Sequence, residues 1–206
     1  MKLTIFGATG NVGRHLVPLA LAQGHQVTAF TRDPARISVV HERLRVLQGD
    51  VTDPASCLPA VEGADAVVVV LGAGRQGRIR ESGTSAVVAA MQEAGVDRLI
   101  CQSTIGVGSS RGNLNFYWKH LMFGLLLRPA FADHVRQEQV VRDSALDWTI
   151  VRPSAFAETS PGTVRHGFGP SEPGLHLKIS LSDLAEFLLA LVDDPRYSRD
   201  AVTVSA

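Results

Sequence analysis

Residues 2–13 read KLTIFGATGNVG, and this stretch decides how the chain is organised. KLTIF at 2–6 has the make-up of a short strand and stops at Gly7. From Asn11 to Ala22 the apolar residues Val12, Leu16, Leu19 and Ala20 recur at helical spacing, and Gly24 ends the pattern. A strand, a turn and a helix therefore carry Gly7, Gly10 and Gly13 in the order G-x-x-G-x-x-G. In such a unit the first glycine permits a tight turn, the second lets backbone approach a pyrophosphate, and the third allows close helix packing. The N–H groups that open the helix add a partial positive charge. Dinucleotide binding is expected at Gly7, Thr9, Gly10, Asn11, Val12 and Gly13, against the alternative of an ordinary structural turn.

Outward from this unit, strand-like and helical segments alternate. HQVTAF (25–30), LRVLQ (44–48) and ADAVVVVL (64–71) read as strands, the last an unbroken apolar run suited to a strand covered on both faces. The helical segment 82–95 precedes the strand candidate DRLICQS. Helix 133–145 precedes LDWTIVRP (146–153), and helix 182–194 precedes AVTVSA (201–206). Repeated βα units of this length predict an α/β fold, a doubly wound parallel sheet of about seven strands, in a single domain spanning 1–206.

The end of the second strand selects the dinucleotide. A carboxylate there bonds the ribose 2′-OH of NAD, whereas arginine pairs with the 2′-phosphate of NADP. The sequence reads FTRDPAR, with Arg32 nearest the strand end and Arg36 four residues on. Two guanidiniums suit a dianionic phosphate, so NADP(H) is the expected cofactor. Asp33 is the counter-argument: it serves a 2′-OH or caps a short helix starting at Pro34. Two more strand-end loops fall on the same edge. In QGDVTD, Asp50 and Val51 are candidates for the adenine edge. In LGAG, Leu71, Gly72 and Ala73 are candidates for backbone approach to the ribose or pyrophosphate.

Composition excludes other classes. With 45% hydrophobic and 19% charged residues the chain is neither disordered nor a coiled coil. Twenty basic residues balance twenty acidic ones, so no electrostatic grip on nucleic acid or a membrane is expected from the overall charge, a local basic patch aside. Cys57 and Cys101 are too few for a zinc cluster or disulfide scaffold and are expected to be reduced thiols. The seven histidines lack mutual ligand spacing, so no metal site is expected. Four residues between Met-Lys and Gly7 fall short of an export signal, and a cytoplasmic location is expected.

GATGNVG, TRDPAR, GDVTD, LDWTIVRP and the SDLAEFLL helix together resemble the atypical short-chain dehydrogenase/reductase superfamily, and within it the NmrA-like NAD(P)H-binding proteins, including flavin and biliverdin reductases. The resemblance runs through nearly the whole chain. It implies a Rossmann fold with a small C-terminal substrate-binding portion, and an R-D-x-x-R arginine pair on the 2′-phosphate. It also implies that Ser103 and Thr104 of QSTIG stand near the nicotinamide, and that Pro153 and Ser154 of VRPSAF lie along it. The Tyr-x-x-x-Lys pair of many relatives is missing: Tyr117 precedes Trp118 and Lys119, and no lysine follows Tyr197. His134 is a candidate proton carrier or a surface cap. Phe156 lines a substrate pocket or packs in the core.

An apolar insertion at about 109–132, SSRGNLNFYWKHLMFGLLLRPAF in the main, is expected above the carboxyl edge of the sheet. Substrate lid, dimer interface and packed hairpin are all open, with Tyr117 and Trp118 as candidate substrate contacts. Two functions follow: an NADPH-dependent reductase passing hydride to a small planar or carbonyl acceptor such as a flavin or quinone, or a catalytically idle NADP(H) sensor. The protein is expected to be a monomer or homodimer.

Overall fold

A computed structural model describes residues 1–72 and 77–206. Its ten strands are β1 (Lys2–Phe6), β2 (Gln26–Thr31), β3 (Leu44–Gln48), β4 (Ala66–Val69), β5 (Arg98–Gln102), β6 (Asp147–Pro153), β7 (Ala155–Ala157), β8 (Arg165–His166), β9 (Lys178–Ser180) and β10 (Asp200–Ser205). The α-helices are α1 (Gly13–Ala22), α2 (Pro54–Val61), α3 (Arg80–Ala94), α4 (Arg128–Asp143) and α5 (Leu181–Ala190).

Eight strands form one sheet in the order β3-β2-β1-β4-β5-β6-β10-β8. All neighbours are parallel except β8, a short antiparallel strand against β10. The seven expected strands are thus the parallel set, and β8 is added at its edge. Strands β7 and β9 pair separately, Ala155 opposite Lys178.

Alternation along the strands produces the two layers. Leu3, Ile5, Val27, Ala29 and Val68 pack on one face with Leu16, Val17 and Ala20 of α1 and with Leu184 and Leu188 of α5. Phe6, Val67, Val69, Leu99 and Ile150 point to the other face, against Val61 of α2, Val87 and Met91 of α3 and Val141 of α4. Removing this apolar surface from water on both faces stabilises the sheet. The chain order reverses beside β1, where β2 lies on one side and β4 on the other, and that break opens a crevice at the carboxyl ends of the strands.

Candidate functional site

A cavity of about 850 Å³ fills the crevice, running from the turn after β1 to the segment before α4. The turn is built for close approach. Gly7 has φ +89°, and a Cβ there would sit 2.5 Å from the Val70 carbonyl oxygen. No side chain fits, so the backbone of β1 runs against that of β4 at the sheet's break. The Gly10 N–H donates to the Gly7 carbonyl at 2.9 Å and closes the turn. Gly7, Thr9, Gly10, Asn11 and Val12 line the cavity. Gly13 does not line it: a Cβ there would collide with Gly7 and Ala8 backbone, so this glycine lets α1 pack on the turn.

Arg32 and Arg36 line the same end of the cavity, and neither is in an ion pair among the described residues. Asp33 caps the single 3₁₀ turn Pro34–Arg36, accepting from the Ala35 N–H at 3.2 Å. One carboxylate oxygen is thus engaged in the cap, while Asp33 itself lines the cavity between the two arginines. Asp50 departs from expectation. It is exposed and off the cavity wall, accepting from the backbone N–H and hydroxyl of Thr52 at 2.9 and 2.8 Å, bonds that hold its carboxyl below the usual range. An Asx turn claims that side chain, whereas neighbouring Val51 does reach the wall. Leu71 and Gly72 line it as well, and Ala73 lies outside the described residues.

At the other end the ends of β5 and β6 present Ser103, Thr104, Pro153 and Ser154. Main-chain bonds fix both serines, Ser103 N–H to the Val151 carbonyl at 2.7 Å and Ser154 N–H to the Val204 carbonyl at 3.0 Å. Their buried hydroxyls, and the buried Oε1 of Gln102, have no partner among the described residues. Three unsatisfied polar atoms on one cavity wall are costly unless a ligand or water completes them.

His134 lies on the wall too, but its chemistry is not that of a near-neutral proton carrier. Burial first, and the Arg80 charge second, push its pKa down to about 3, so the ring is neutral at ordinary pH. Nor does it cap a helix start, because α4 begins at Arg128 and His134 lies within it. Gln137 donates from Nε2 to the Thr84 hydroxyl at 3.1 Å, which turns its Oε1 to His134 Nδ1, also at 3.1 Å. Nδ1 then carries the proton and donates, leaving Nε2 as an acceptor.

Arg80, in the first turn of α3, is a wall residue that inspection of the sequence did not single out. Asp133 holds it: the carboxylate accepts from the Arg80 and Glu81 N–H groups at 3.1 and 3.3 Å and pairs with the guanidinium at 3.5 Å. A cation at a helix N-terminus opposes the helix dipole, and that anomaly in IRESG is the signal that could have revealed it.

The insertion forms a 3₁₀ stretch, Gly108–Asn113, and a π-helix, Tyr117–Leu126, whose end is marked by a bond from the Leu127 N–H to the Met122 carbonyl at 2.7 Å. With i→i+5 bonding, Trp118, Phe123 and Leu127 fall on the cavity side. Trp118 and Phe123 ring centroids are 5.6 Å apart, and Phe123 stacks on Phe131 at 4.8 Å. Tyr117 is corrected: it is exposed and off the wall, because it starts the opposite row of the helix. Phe156 on β7 and Leu177 before β9 line the mouth from the other side.

Both cysteines are free and buried. Burial pushes the Cys57 thiol up to about 12 and Cys101 higher still, so neither is a nucleophile. No group of three or more metal-ligating side chains occurs among the described residues.

A mostly parallel sheet wound on both faces, with a glycine turn and a cleft at its break, defines the dinucleotide-binding Rossmann class of folds. The glycine cradle, the arginine pair and the unsatisfied serine hydroxyls fit such a nucleotide. The chain belongs to the NAD(P)H-binding family, whose model matches residues 7–195. It is similar to a (4-alkanoyl-5-oxo-2,5-dihydrofuran-3-yl)methyl phosphate reductase of Streptomyces griseus, 31% identical over 159 residues, 75% of this chain and 48% of that protein. It spans about a third of the length of the first curated relatives it matches. Among solved structures, a short-chain dehydrogenase/reductase from Veillonella parvula in complex with NADP superposes with TM-score 0.81 at 20% identity, covering 100% of this chain and 94% of that one. An anaerobillin reductase, ChuY from Escherichia coli O157:H7, superposes with TM-score 0.80 at 22% identity, covering 100% and 97%.

Proposed function

We propose that the protein is an NADPH-dependent reductase of a small planar or carbonyl-bearing acceptor. The observation that carries this reading is the continuity of one cavity: a glycine cradle and arginine pair at one end, and an aromatic wall facing unsatisfied serine hydroxyls at the other. Gly7 to Val12 would hold the pyrophosphate, Arg32 and Arg36 the 2′-phosphate, and the β5 and β6 ends with Ser103, Thr104, Pro153 and Ser154 the nicotinamide. Bound there, the reduced nicotinamide supplies a hydride.

The chain's own residues orient and exclude. Trp118 and Phe123 offer flat surfaces on which a conjugated acceptor stacks, and with Leu127 they keep water from the reacting face. Neutral His134 offers an acceptor nitrogen to an N–H or O–H of the ligand. With no Tyr/Lys pair and His134 unprotonated, the reduced product takes its proton from water, which suits flavin- or quinone-like acceptors. Positioning is then the main catalytic contribution.

The test is oxidation of NADPH by purified protein with a panel of flavins, quinones and aldehydes, followed as loss of reduced-nicotinamide absorbance. Acceptor-dependent oxidation is expected. Tight NADP binding without turnover on any acceptor would replace this reading by that of a cofactor sensor, which the missing Tyr/Lys pair favours. We propose with it a cytoplasmic location, in keeping with the two free thiols, a single domain, and the insertion as the acceptor lid.

A further inference from the structure

The π-helix has a second apolar row, facing away from the cavity. Tyr117, Leu121 and Leu125 follow at intervals of four, and Phe116 and Leu126 flank them. All five are exposed, Phe116 by 78% and Leu125 by 70%, and none of the ten helix residues is buried. Elsewhere among the described residues, exposed large apolar side chains are scattered: Met1, Val40, Val46, Val135 and Phe156. A row this dense needs a cover.

Charge identifies the cover. From residue 99 to 132 the chain contains no Asp or Glu, while Arg111, Lys119 and Arg128 fall within it. None of the three is in an ion pair among the described residues. Nearby acids are already matched: Asp133 by Arg80, Glu81 by Arg136, and Glu172, whose N–H donates to Asn113, by Arg165. A second copy meeting this face symmetrically would bring cations against cations with no carboxylate between them. No described helix is long and apolar enough to cross a bilayer, but a helix with an aromatic and leucine row beside basic side chains lies well in the interface of an anionic membrane.

We infer that the outer face of the π-helix, with the exposed Arg111 and Arg128 in the segments before and after it, docks the protein on an anionic lipid surface. Leu121 and Leu125 enter the acyl boundary, and the exposed side chains of Arg111 and Arg128 reach headgroups. This surface stands independently of the reductase reading, because binding to it needs neither cofactor nor acceptor.

Flotation of the full chain with vesicles tests it. Binding is expected to phosphatidylcholine vesicles containing phosphatidylglycerol, to weaken with salt as the Debye length falls from about 10 to about 3 Å between 0.1 and 1 M, and to be slight on phosphatidylcholine alone. Arg111→Ala with Arg128→Ala should lower partitioning more than about tenfold, near fivefold per charge. Leu121→Ser with Leu125→Ser should lower it comparably while leaving nucleotide binding intact, since neither side chain lines the cavity. No flotation on anionic vesicles, or flotation indifferent to the leucine changes, overturns the inference. So does a dimer in light scattering that the leucine changes dissociate, which would make the cover a second copy.

Discussion

Arg152 and Glu138 are joined by two bonds inside the protein, Nε to Oε1 at 2.8 Å and Nη2 to Oε2 at 2.6 Å, with 3% and 4% of their side chains exposed. The pair ties β6 to α4, and its guanidinium also abuts Gly108 and bonds Ser109, so it props the loop leading to the insertion. Glu138→Gln leaves a buried cation half-matched and should cost about 3–5 kcal/mol, read from urea unfolding. Replacing both partners by leucine and methionine should recover most of that loss. A single change costing under about 1 kcal/mol would show that the pair is solvated.

Arg32→Ala should weaken NADPH about ten- to hundredfold, the worth of a charge-assisted bond of about 1.5–3 kcal/mol, and hardly alter NADH. Arg36→Ala should act in the same direction. Titration with both nucleotides decides: equal losses would mean that the arginines do not read the 2′-phosphate.

Gly7→Ala should remove nucleotide binding and lower stability by about 1–3 kcal/mol from its backbone conformation alone, before the clash with Val70 is counted. Thermal unfolding with and without NADP measures both.

His134 makes stability depend on pH. Its folded pKa of about 3 lies below the reference value of 6.5, so between these values the unfolded chain binds more protons. The contribution is complete above about pH 6.5 and is lost as pH falls toward 3, with a slope of up to about 1.4 kcal/mol per unit. Urea midpoints at pH 7 and pH 5 should therefore fall more in wild type than in His134→Gln. Parallel falls would show that the ring is not held neutral.

Ser103→Ala should leave stability within about 1 kcal/mol of wild type or raise it, because the hydroxyl lacks a protein partner. Its effect should appear instead in cofactor affinity or turnover. A less stable variant with unchanged binding and turnover would make the hydroxyl structural.

Much of this was legible in the chain itself. KLTIF and LRVLQ became strands with the expected limits because each stops at a glycine, Gly7 and Gly49. Helix α4 begins at Arg128 rather than 133, since Pro129 sits at its first turn and the preceding aromatics masked the start. Strands β7, β8 and β9 have two or three residues each and exist through partners distant in sequence, which no local pattern announces. At the site, GATGNVG and TRDPAR were readable because backbone geometry and charge act locally. Phe123 and Leu127 were missed and Tyr117 misplaced because the row facing the cavity follows i→i+5 bonding rather than the α-helical period.

Asp133 has no exposed surface and holds the N-terminus of α3, while a Cβ on Gly77 would meet the Pro129 carbonyl oxygen at 2.9 Å. The first turn of α4 is thereby clamped beside the start of α3, and the segment from Gly108 to Leu127 is held at the Arg152 prop, at Asn113, which bonds Gly169 and Glu172, and at this clamp. The insertion contributes side chains, not backbone, to the sheet's cavity, and the glycine turn at the far end is built without it. On the proposed reading, the residues that meet the acceptor are thus concentrated in one stretch of chain, apart from those that would hold the cofactor.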